Sequence, residues 1–331
     1  MVLKAIRSFF RRLYIILVDL YTFPDLRPVF LAGMKNGMLG LIFKGPVYKD
    51  VSDSYGGSAR VMYIQGVPLP PFPSMHANLL EQDGFKARND DIWVVNWPKS
   101  GTHWMWEIVK MITSGRAELN DSSKGGTMFP ELCPLHVIEK MASPRVLNTH
   151  VPLKLFPKVA LNSKIIYVVR NPKDAFVSLY YHATGMEPKS ANCSWNGMYE
   201  LLVNGKAQYG DWFDHVEEWL KVLENNPNAL IVTYEDMQMD LKKQVRLVAQ
   251  FLGHEKSEQF YSDVARLCSF QHMKKDKKDV RSVWAEDSEG IFRKGTVGDW
   301  KNHFTVAQNE EFNKIFCKRM KNINLDLKFE L

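Results

Sequence analysis

A short polar segment between two apolar stretches, residues 98–104, is the first part of this sequence that could bind an anion. It reads Pro98-Lys99-Ser100-Gly101-Thr102-His103-Trp104 and follows the apolar run Ile92 to Trp97. Where a strand passes through such a loop into a helix, loop N–H groups and the helix dipole favour an anion, and lysine and hydroxyl side chains add donors. The segment therefore predicts a phosphate site. The alternative is an ordinary strand-to-helix turn in which Ser100 or Thr102 caps the helix.

The spacing of this loop separates it from the phosphate loop of nucleoside triphosphatases. That loop follows the pattern G-x-x-x-x-G-K-[ST], whereas here the first glycine is missing and Lys99 precedes Gly101. An ordinary kinase or ATPase is therefore disfavoured, while the binding of another phosphate-like anion is not.

Further cations and a candidate base lie later in the chain. Arg170 follows the apolar run Ile165 to Val169, and Arg293-Lys294-Gly295 combines a guanidinium fork, an ammonium group and an unhindered backbone N–H. Any of the nine histidines is a candidate base, because a histidine with an ordinary pKa of about 6.5 accepts protons at neutral pH. Considered singly, each arginine is more often a solvated surface charge and a histidine is more often structural.

Three apolar runs could position these residues: Ile92 to Trp97, Ile165 to Val169 and Ala229 to Thr233. Each has strand length, is rich in Ile and Val, and is continuous rather than alternating, which indicates parallel strands covered on both faces. Helical patterns follow or separate them. We therefore expect an α/β fold, a single three-layer domain with a central parallel sheet and a P-loop-like phosphate loop. The loops at the carboxyl ends of the strands should form the ligand site.

Composition and charge indicate an ordinary globular protein. The 331 residues are 45% hydrophobic and 24% charged, which excludes a disordered or collagen-like chain. A formal net charge of +6 suits an anionic ligand but is too small to indicate nucleic acid. The four cysteines are far apart and form no C-x-x-C pair, so we expect neither disulfides nor a metal site, and a reducing, cytoplasmic location.

The N-terminal region allows more than one interpretation. Lys4, Arg7 and Arg11 would share one side of a helix within residues 1–22 and apolar residues another, so this helix could lie on a membrane surface. We favour a helix packed on the domain, and a transit peptide is a third interpretation. Asp19 interrupts the apolar run, which argues against a membrane span of about 20 apolar residues.

The region between residues 24 and 75 is broken by proline and glycine. It ends in the proline-rich segment Val67 to Pro73. Proline lacks the backbone N–H and has a fixed φ, so this segment cannot form the interior of a helix or a central strand. We therefore predict a surface segment here.

Four segments, in order along the chain, together resemble the motifs of the cytosolic sulfotransferase family. The segments are Trp97-Pro98-Lys99-Ser100-Gly101-Thr102-His103-Trp104, Asn148-Thr149-His150-Val151-Pro152, Arg170-Asn171-Pro172-Lys173-Asp174 through Ser178, and Arg293-Lys294-Gly295 through Gly298-Asp299-Trp300-Lys301. The similarity covers residues 60–331, which we divide from an N-terminal extension of residues 1–59. It implies one α/β domain with a phosphosulfate-binding loop, and 3′-phosphoadenosine 5′-phosphosulfate (PAPS) as the donor.

The resemblance also implies a reaction. Sulfonate would pass from PAPS, by in-line displacement, to the hydroxyl of a small lipophilic acceptor such as a phenol, a steroid or another alcohol. In the family pattern His150 is the general base, Lys99 lies beside the leaving oxygen, and Ser178 is a third catalytic residue. The residues implied to bind the donor are Lys99, Ser100, Gly101, Thr102, His103, Trp104, Arg170, Ser178, Tyr234, Phe270, Arg293, Lys294 and Gly295.

Two positions depart from the family pattern. Asn148 stands where the family usually has a lysine, so one positive charge near the sulfonate is lost. Asparagine can still donate a hydrogen bond, but neutral donors are about half as strong as charged ones. Cys268 stands where a threonine is usual. The loss of charge at Asn148 predicts a slower enzyme or an altered acceptor, and Cys268 removes the hydroxyl contact that a threonine would supply.

A homodimer and an apolar acceptor pocket also follow from the resemblance. Residues 301–310 match the family's dimer motif K-x-x-x-T-V-x-x-x-E, whose charged ends can pair with a twofold copy. The alternative for this segment is a solvated loop with Thr305 as a helix cap. A hydrophobic acceptor needs an apolar wall. The candidate wall residues are Val67 to Phe72, Met128-Phe129-Pro130, Tyr180, Tyr181, His182 and the loop Trp284 to Phe292.

Two other classes of function stay open at this point. Because of Asn148, the protein could bind PAPS or its nucleotide product with little turnover. Because of the basic N-terminus, it could instead be a membrane-peripheral scaffold. A dehydratase that acts through a sulfonated alcohol is a variant of the enzymatic interpretation.

Overall fold

The computed structural model describes residues 48–72, 75, 76, 78, 79, 84–119, 129–185, 189–276 and 292–331. The predicted N-terminal helix within residues 1–22, Met128 and most of the loop Trp284 to Phe292 lie outside the described residues. Within the described ranges, no helix is long and apolar enough to cross a bilayer. The division of the chain at residue 60 stays a prediction.

The first sheet of the fold is antiparallel and is formed mainly by residues 48–69. Its strands, numbered in chain order, are β1 (Tyr48–Ser52), β2 (Ser58–Ile64), β3 (Val67–Leu69) and the short β7 (Ala191–Asn192). Strand β2 pairs with each of the other three. Gln65 and Gly66, between β2 and β3, have positive φ values of 49° and 84°, which match the right-handed twist of a hairpin.

The prediction of a surface segment is wrong where the chain forms this sheet. Val61, Met62 and Leu69 are fully buried. Pro68 is tolerated in β3 because β3 is an edge strand, where a missing N–H leaves no neighbouring strand unpaired. The prolines and glycines around these short strands hide their apolar pattern in the sequence.

A parallel sheet forms the centre of the fold, as predicted. Its strands are β4 (Ile92–Val95), β5 (Val146–Thr149), β6 (Lys164–Val169) and β8 (Ala229–Thr233), in the order β5-β4-β6-β8. The apolar pattern does not predict β5, because Asn148 and Thr149 interrupt it. The chain leads from β4 to its neighbour β5 on one side of the sheet, and from β6 to its neighbour β8 on the other side. The loops after β4 and β6 therefore run in opposite directions and leave a crevice between them.

Helices cover both faces of the parallel sheet. The described helices are α1 (Thr102–Ser114), α2 (Leu135–Ile138), α3 (Pro172–Gly185), α4 (Trp195–Val203), α5 (Trp212–Leu223), α6 (Tyr234–Met239), α7 (Leu241–Leu252), α8 (Glu258–Leu267), α9 (Phe270–Asp276) and α10 (Val306–Arg319). Because side chains alternate along a strand, Trp93 and Val95 join the core under α3 and α5, whereas Ile92 and Val94 join the core under α1 and α7. The predicted three-layer α/β architecture is confirmed.

Candidate active site

A cavity of about 220 Å³ lies at the carboxyl ends of the parallel strands. Each strand leads into one part of its wall. Lys99 follows β4, His150 follows β5, Arg170 follows β6 and Tyr234 follows β8. The fold thus brings together candidate residues that lie far apart in the sequence.

The loop after β4 has the backbone of an anion-binding turn. Lys99 and Gly101 both lie in the left-handed region, with φ of 67° and 101°, and α1 begins directly after Gly101. Such a turn directs successive N–H groups toward one point, at the positive end of the helix dipole. A Cβ at Gly101 would lie 3.0 Å from the Tyr234 ring, so glycine also permits this close approach.

The hydroxyl groups of this loop do not cap the helix. The N-cap residue is Gly101, without a side-chain cap, so the interpretation of Ser100 or Thr102 as a cap is wrong. Thr102 instead donates its hydroxyl to Oδ1 of Asn96 over 2.8 Å, which anchors the base of the loop. Ser100 is fully buried and its hydroxyl has no hydrogen-bond partner among the described residues. Ser100 does not line the cavity, unlike the other predicted site residues, and its contact with the donor stays a prediction.

Lys99 lies among other cations. Burial and the nearby charges of Arg170 and Arg293 lower the pKa of Lys99 to about 7. Arg170 also donates from Nη1 to the Lys99 carbonyl oxygen over 2.9 Å, which holds its guanidinium against the loop. The Lys99 ammonium lies 3.3 Å from Nδ1 of His182. Because the positive charges of Arg170 and Arg293 disfavour the protonated form of Lys99, an anionic ligand beside these groups would be stabilised.

A second pair of cations lies on the segment 293–295. The Arg293 guanidinium and the Lys294 ammonium each lie 2.6 Å from a carboxylate oxygen of Asp299. Burial opposes ionisation, but hydrogen bonds from Lys294, Asn302 and Arg293 hold the pKa of Asp299 far below its usual range. The carboxylate therefore stays charged and holds both cations at the cavity wall. The motif contains Asp299, but the sequence does not indicate this role.

The three aromatic residues implied to bind the donor lie in the wall of the cavity. Trp104, Tyr234 and Phe270 all line it, and the rings of Trp104 and Tyr234 are 5.4 Å apart. The Arg170 guanidinium lies 4.2 Å above the Tyr234 ring. Gly295 has a φ of 65°, and a Cβ there would lie 2.1 Å from the Phe270 ring. Only glycine allows the backbone to pass so close to this ring.

Asp174, near the start of α3, ties the segment 293–300 to the rest of the site. Asp174 is only 1% exposed, and its carboxylate accepts hydrogen bonds from the N–H groups of Gly298 and Trp300 at 2.8 and 2.9 Å. Helix α3 also carries Ser178, which lines the cavity. One buried carboxylate therefore maintains the spacing between the two motif segments.

His150 is held in one tautomer. Its Nδ1 lies 3.0 Å from the carbonyl oxygen of Asn96, and since a carbonyl only accepts, Nδ1 carries the proton and Nε2 does not. Burial lowers the pKa of His150 to about 4, opposed by the hydrogen bond to Asn96 and assisted by Lys99. The ring is therefore neutral at pH 7. It packs between the rings of Phe129 and Tyr209, with centroids 5.3 and 5.4 Å away.

Glu131 is a site residue that the sequence analysis misses. It is fully buried, and its Oε1 accepts a hydrogen bond of 3.0 Å from the His150 backbone N–H. Burial raises the pKa of Glu131 to about 7, against the opposing hydrogen bonds from His150 and Thr149. No motif or spacing marks Glu131, because the contact depends on how its turn packs against β5. The contact fixes the backbone that carries the candidate base.

The acceptor side of the cavity is apolar, in part as predicted. Pro70, Phe72 and Phe292 line it, and so does His182. Phe129 lies beside His150.

The prediction for Tyr180 and Tyr181 is wrong. Neither lines the cavity: Tyr180 packs on Trp195, and Tyr181 is 40% exposed with its ring 4.7 Å from the Arg293 guanidinium. Tyr180, two residues after Ser178, faces a different side of α3. Tyr181, three residues after Ser178, instead packs against His303 and Arg293. Position in the sequence near Ser178 was not sufficient to predict exposure to the cavity.

Asn148 does not act on the cavity directly. It is fully buried in β5, neither polar atom of its amide has a hydrogen-bond partner among the described residues, and it does not line the cavity. A hydrogen bond from this amide to a ligand stays a prediction. Cys268, the other departure from the family pattern, does line the wall.

The arrangement can hold a ligand with two anionic ends and take a proton from a hydroxyl. The Lys99 loop can bind one end, Arg170 with Arg293 and Lys294 can bind the other, and the unprotonated Nε2 of His150 can accept a proton. All four cysteines are free thiols, and within the described ranges no group of His, Cys, Asp and Glu is arranged to hold a metal ion.

Comparisons with known proteins point to the same chemistry. A family model described as a sulfotransferase domain matches residues 89–324. Rat Sulfotransferase 1C2 is 34% identical over 292 residues, which make up 82% of this chain and 96% of the relative. Human Sulfotransferase 2A1 is 31% identical over 286 residues, 80% of this chain and 97% of the relative.

A solved structure is similar in both sequence and fold. Mouse sulfotransferase SULT7A1, complexed with PAP, superposes with a TM-score of 0.68 at 31% identity. The match covers 79% of this chain and 95% of the mouse chain. The similarity therefore extends over nearly the whole length of the relative.

Proposed function

Because the chain belongs to the sulfotransferase family, we propose that its cavity binds PAPS through the Lys99 loop and the Arg293 segment and presents an acceptor hydroxyl to His150. The protein is a sulfotransferase, which transfers the sulfonate group from PAPS to a small hydroxyl compound. The observation that carries the residue assignment is the hydrogen bond from His150 Nδ1–H to Asn96, which leaves Nε2 able to accept a proton.

In this mechanism, His150 acts as the general base. Its Nε2 takes the proton of the acceptor hydroxyl while the acceptor oxygen bonds to sulfur. The bond between sulfur and the 5′-phosphate oxygen breaks, and that oxygen leaves as part of PAP with the electron pair. Because the ring is neutral at pH 7, it is ready to accept the proton. General bases of this kind contribute about 10²–10⁴-fold in rate.

Lys99 and the arginines stabilise the charge of the donor. A bound phosphosulfate supplies the anion that the cation cluster lacks, so Lys99 becomes fully protonated. Its ammonium then offsets charge that develops on the leaving oxygen, an effect worth about 10²–10³-fold for one preorganised donor. Arg170, Arg293 and Lys294 would hold the 3′-phosphate, with the hydroxyl of Ser178 and the N–H of Gly295.

The donor end and the acceptor end of the cavity differ in polarity. Cations and aromatic rings line the end assigned to the nucleotide, whereas Pro70, Phe72 and Leu179 contribute apolar wall. A hydrophobic body is held by burial, and the reacting hydroxyl needs only one directed contact, to His150. These features support a small hydrophobic acceptor.

The assignment of the base is tested with His150→Ala and a matched control, His254→Ala, whose residue lies outside the cavity wall. We expect transfer of labelled sulfonate to a panel of phenols and alcohols to fall about 10²–10⁴-fold in His150→Ala only. Binding of PAP, measured by calorimetry, should stay within about twofold of wild type in both variants, because His150 contacts the acceptor rather than the nucleotide. Unchanged transfer in His150→Ala would contradict the assignment.

A second candidate function is nucleotide binding with little turnover. It is favoured by Asn148, which supplies no charge to the cavity. The same assay decides between the two. Tight binding of PAP by the wild type, with no sulfate ester or alkene formed from any compound of the panel, would select the second candidate.

We also propose that two copies of the chain pair through residues 301–310. Thr305 caps α10 in a capping box with Gln308, as the alternative interpretation of this segment expects. The next residue, Val306, is nevertheless 76% exposed and lies between the charged Lys301 and Glu310. An exposed valine flanked by opposite charges suits an isologous contact, in which each copy offers the same surface.

We propose a cytoplasmic location, supported by the free thiols, which fit a reducing compartment. Membrane contact through residues 1–22 is a separate proposal, supported by the basic and apolar sides of that sequence. Loss of liposome binding on deletion of residues 1–22, with sulfonate transfer retained, would support it. Equal binding by both proteins would contradict it.

A further inference from the structure

The wall of the cavity contains a buried amide whose nitrogen lacks a hydrogen-bond partner in the part of the chain that the structure describes. Gln208 lines the cavity and is only 6% exposed, and its Nε2 has no hydrogen-bond partner among the described residues. A buried polar group in this state loses its hydration without replacing it, which disfavours the free protein. Another glutamine of the same wall, Gln238, differs in this respect, because its Nε2 donates to the Tyr234 hydroxyl over 3.0 Å.

Gln208 lies on the acceptor side of the cavity. The next residue, Tyr209, packs its ring against His150, with centroids 5.4 Å apart. Pro70 and Phe72 also line the cavity, and they directly follow β3. The residues that would hold the nucleotide lie on other segments: after β4, after β6, after β8, on α9 and at 293–295.

The backbone holds Gln208 firmly in this position. A tight turn closes from the Gly210 N–H to the Ala207 carbonyl oxygen at 3.1 Å, and the Tyr209 N–H donates to Pro68 of β3 at 2.7 Å. Tyr209 has a φ of 68°, which a non-glycine residue adopts only where the surrounding structure enforces it. The amide is thus presented by a constrained turn, which reduces the entropy that a ligand contact would lose.

We infer that Gln208 binds a second polar group of the acceptor, which sets the class of acceptor. The acceptor is then a hydroxyl compound with an apolar body and a further hydrogen-bonding atom, rather than a hydrocarbon with a single hydroxyl. The inference rests on the proposed function of this cavity. A primary amide presents N–H or, after a half-turn about its last bond, oxygen, so the partner atom is either an acceptor or a donor.

The test uses three phenols of similar size: 2-naphthol, which is apolar beyond its hydroxyl, 6-hydroxyquinoline, which adds an acceptor nitrogen, and 5-hydroxyindole, which adds an N–H donor. We expect wild type to favour at least one of the two polar phenols over 2-naphthol by about tenfold or more in kcat/KM. In Gln208→Leu this preference should vanish, because kcat/KM should rise for 2-naphthol and fall for the polar phenol. The control is Gln244→Leu, which removes a buried glutamine on α7, outside the cavity wall.

Parallel measurements separate failure of this inference from failure of the proposed function. Binding of each phenol to the enzyme–PAP complex is measured for all variants, so a preference is detected even for compounds that are not sulfonated. Preference without sulfonation would uphold the role of Gln208 while contradicting the proposed function. The inference would be overturned if wild type and Gln208→Leu each bound the three phenols with equal affinity and sulfonated them with equal kcat/KM. Unchanged PAP affinity in Gln208→Leu is expected, since a general loss of structure would lower it.

Discussion

Lys99 is a residue whose charge depends on the ligand. In the free protein, burial and two neighbouring guanidinium groups bring its pKa to about 7, so only part of the population is charged at neutral pH. An anion next to it favours the protonated form and raises that pKa. Binding and protonation at this residue are therefore coupled.

Proton uptake follows from this coupling. At pH 7.5 wild type should take up protons on binding PAP, and PAP affinity should fall as the pH rises above about 7, since deprotonated Lys99 must first recover its proton. Calorimetry in two buffers with different ionisation enthalpies measures the uptake. Lys99→Arg, which stays charged throughout this range, should show much less of it. Release of protons by wild type would contradict the assignment.

Asn148 is a residue where a change should improve the enzyme. We expect Asn148→Lys to raise the turnover number, because a lysine is long enough to bring a charged donor toward the sulfonate. The amide that it replaces has no hydrogen-bond partner among the described residues to lose. Asn148→Met is the control that separates charge from shape, because methionine is similar in length to lysine but uncharged. Turnover that falls in the lysine variant while the melting temperature stays near that of wild type would mean that the site has adapted to asparagine.

At the scale of elements, the segment 293–300 depends on two buried carboxylates and on one close backbone approach. Asp174 binds its backbone, and Asp299 holds the cations Arg293 and Lys294. Gly295 allows the segment to pass the Phe270 ring. The segment is thus shaped before a nucleotide arrives, which limits the ordering cost of binding.

Gly295→Ala should weaken PAP binding by about tenfold or more, because the added Cβ meets the Phe270 ring at 2.1 Å in addition to the strain of a positive φ. The matched control is Gly298→Ala. Gly298 has a φ of 92°, but its nearest neighbour to an added Cβ is 3.6 Å away, so this variant has backbone strain without the clash. Calorimetric binding of PAP compares them. Equal losses in both variants would show that strain, not contact with Phe270, controls affinity.

At the scale of the molecule, the site uses the carboxyl ends of all the parallel strands. Strand β4 lies between β5 and β6, so the base after β5 and the arginine after β6 flank the phosphate loop. The residues 301–310 lie directly after the segment that holds Arg293, which connects the proposed dimer surface with the site along the chain.

Val306→Glu should convert dimers to monomers at micromolar concentration, because it introduces like charges on both copies of a self-complementary surface. Sedimentation equilibrium measures the change. Val159→Glu provides the control, since Val159 is also well exposed, at 57%, but lies far from residues 301–310 in the sequence. A wild type that is monomeric, or a Val306→Glu dimer as stable as that of Val159→Glu, would rule out this interface.

The sequence by itself determined the α/β class, three of the four parallel strands and the family. Continuous Ile- and Val-rich runs report burial on both faces, and the four motifs combine residues that are adjacent along the chain. These properties are local, so they can be identified without a structure. All of the site residues predicted from the sequence, except Ser100, line the cavity.

Only the tertiary structure decided which side chains face the ligand and what supports them. Ser100 and Asn148 belong to motifs yet are buried away from the cavity, and Tyr180 turns aside on α3. Glu131 and Gln208 carry no motif, yet one fixes the backbone of His150 and the other lies in the acceptor wall. Direction and contact depend on how separate elements pack against one another, and that packing is a property of the whole chain rather than of any short segment.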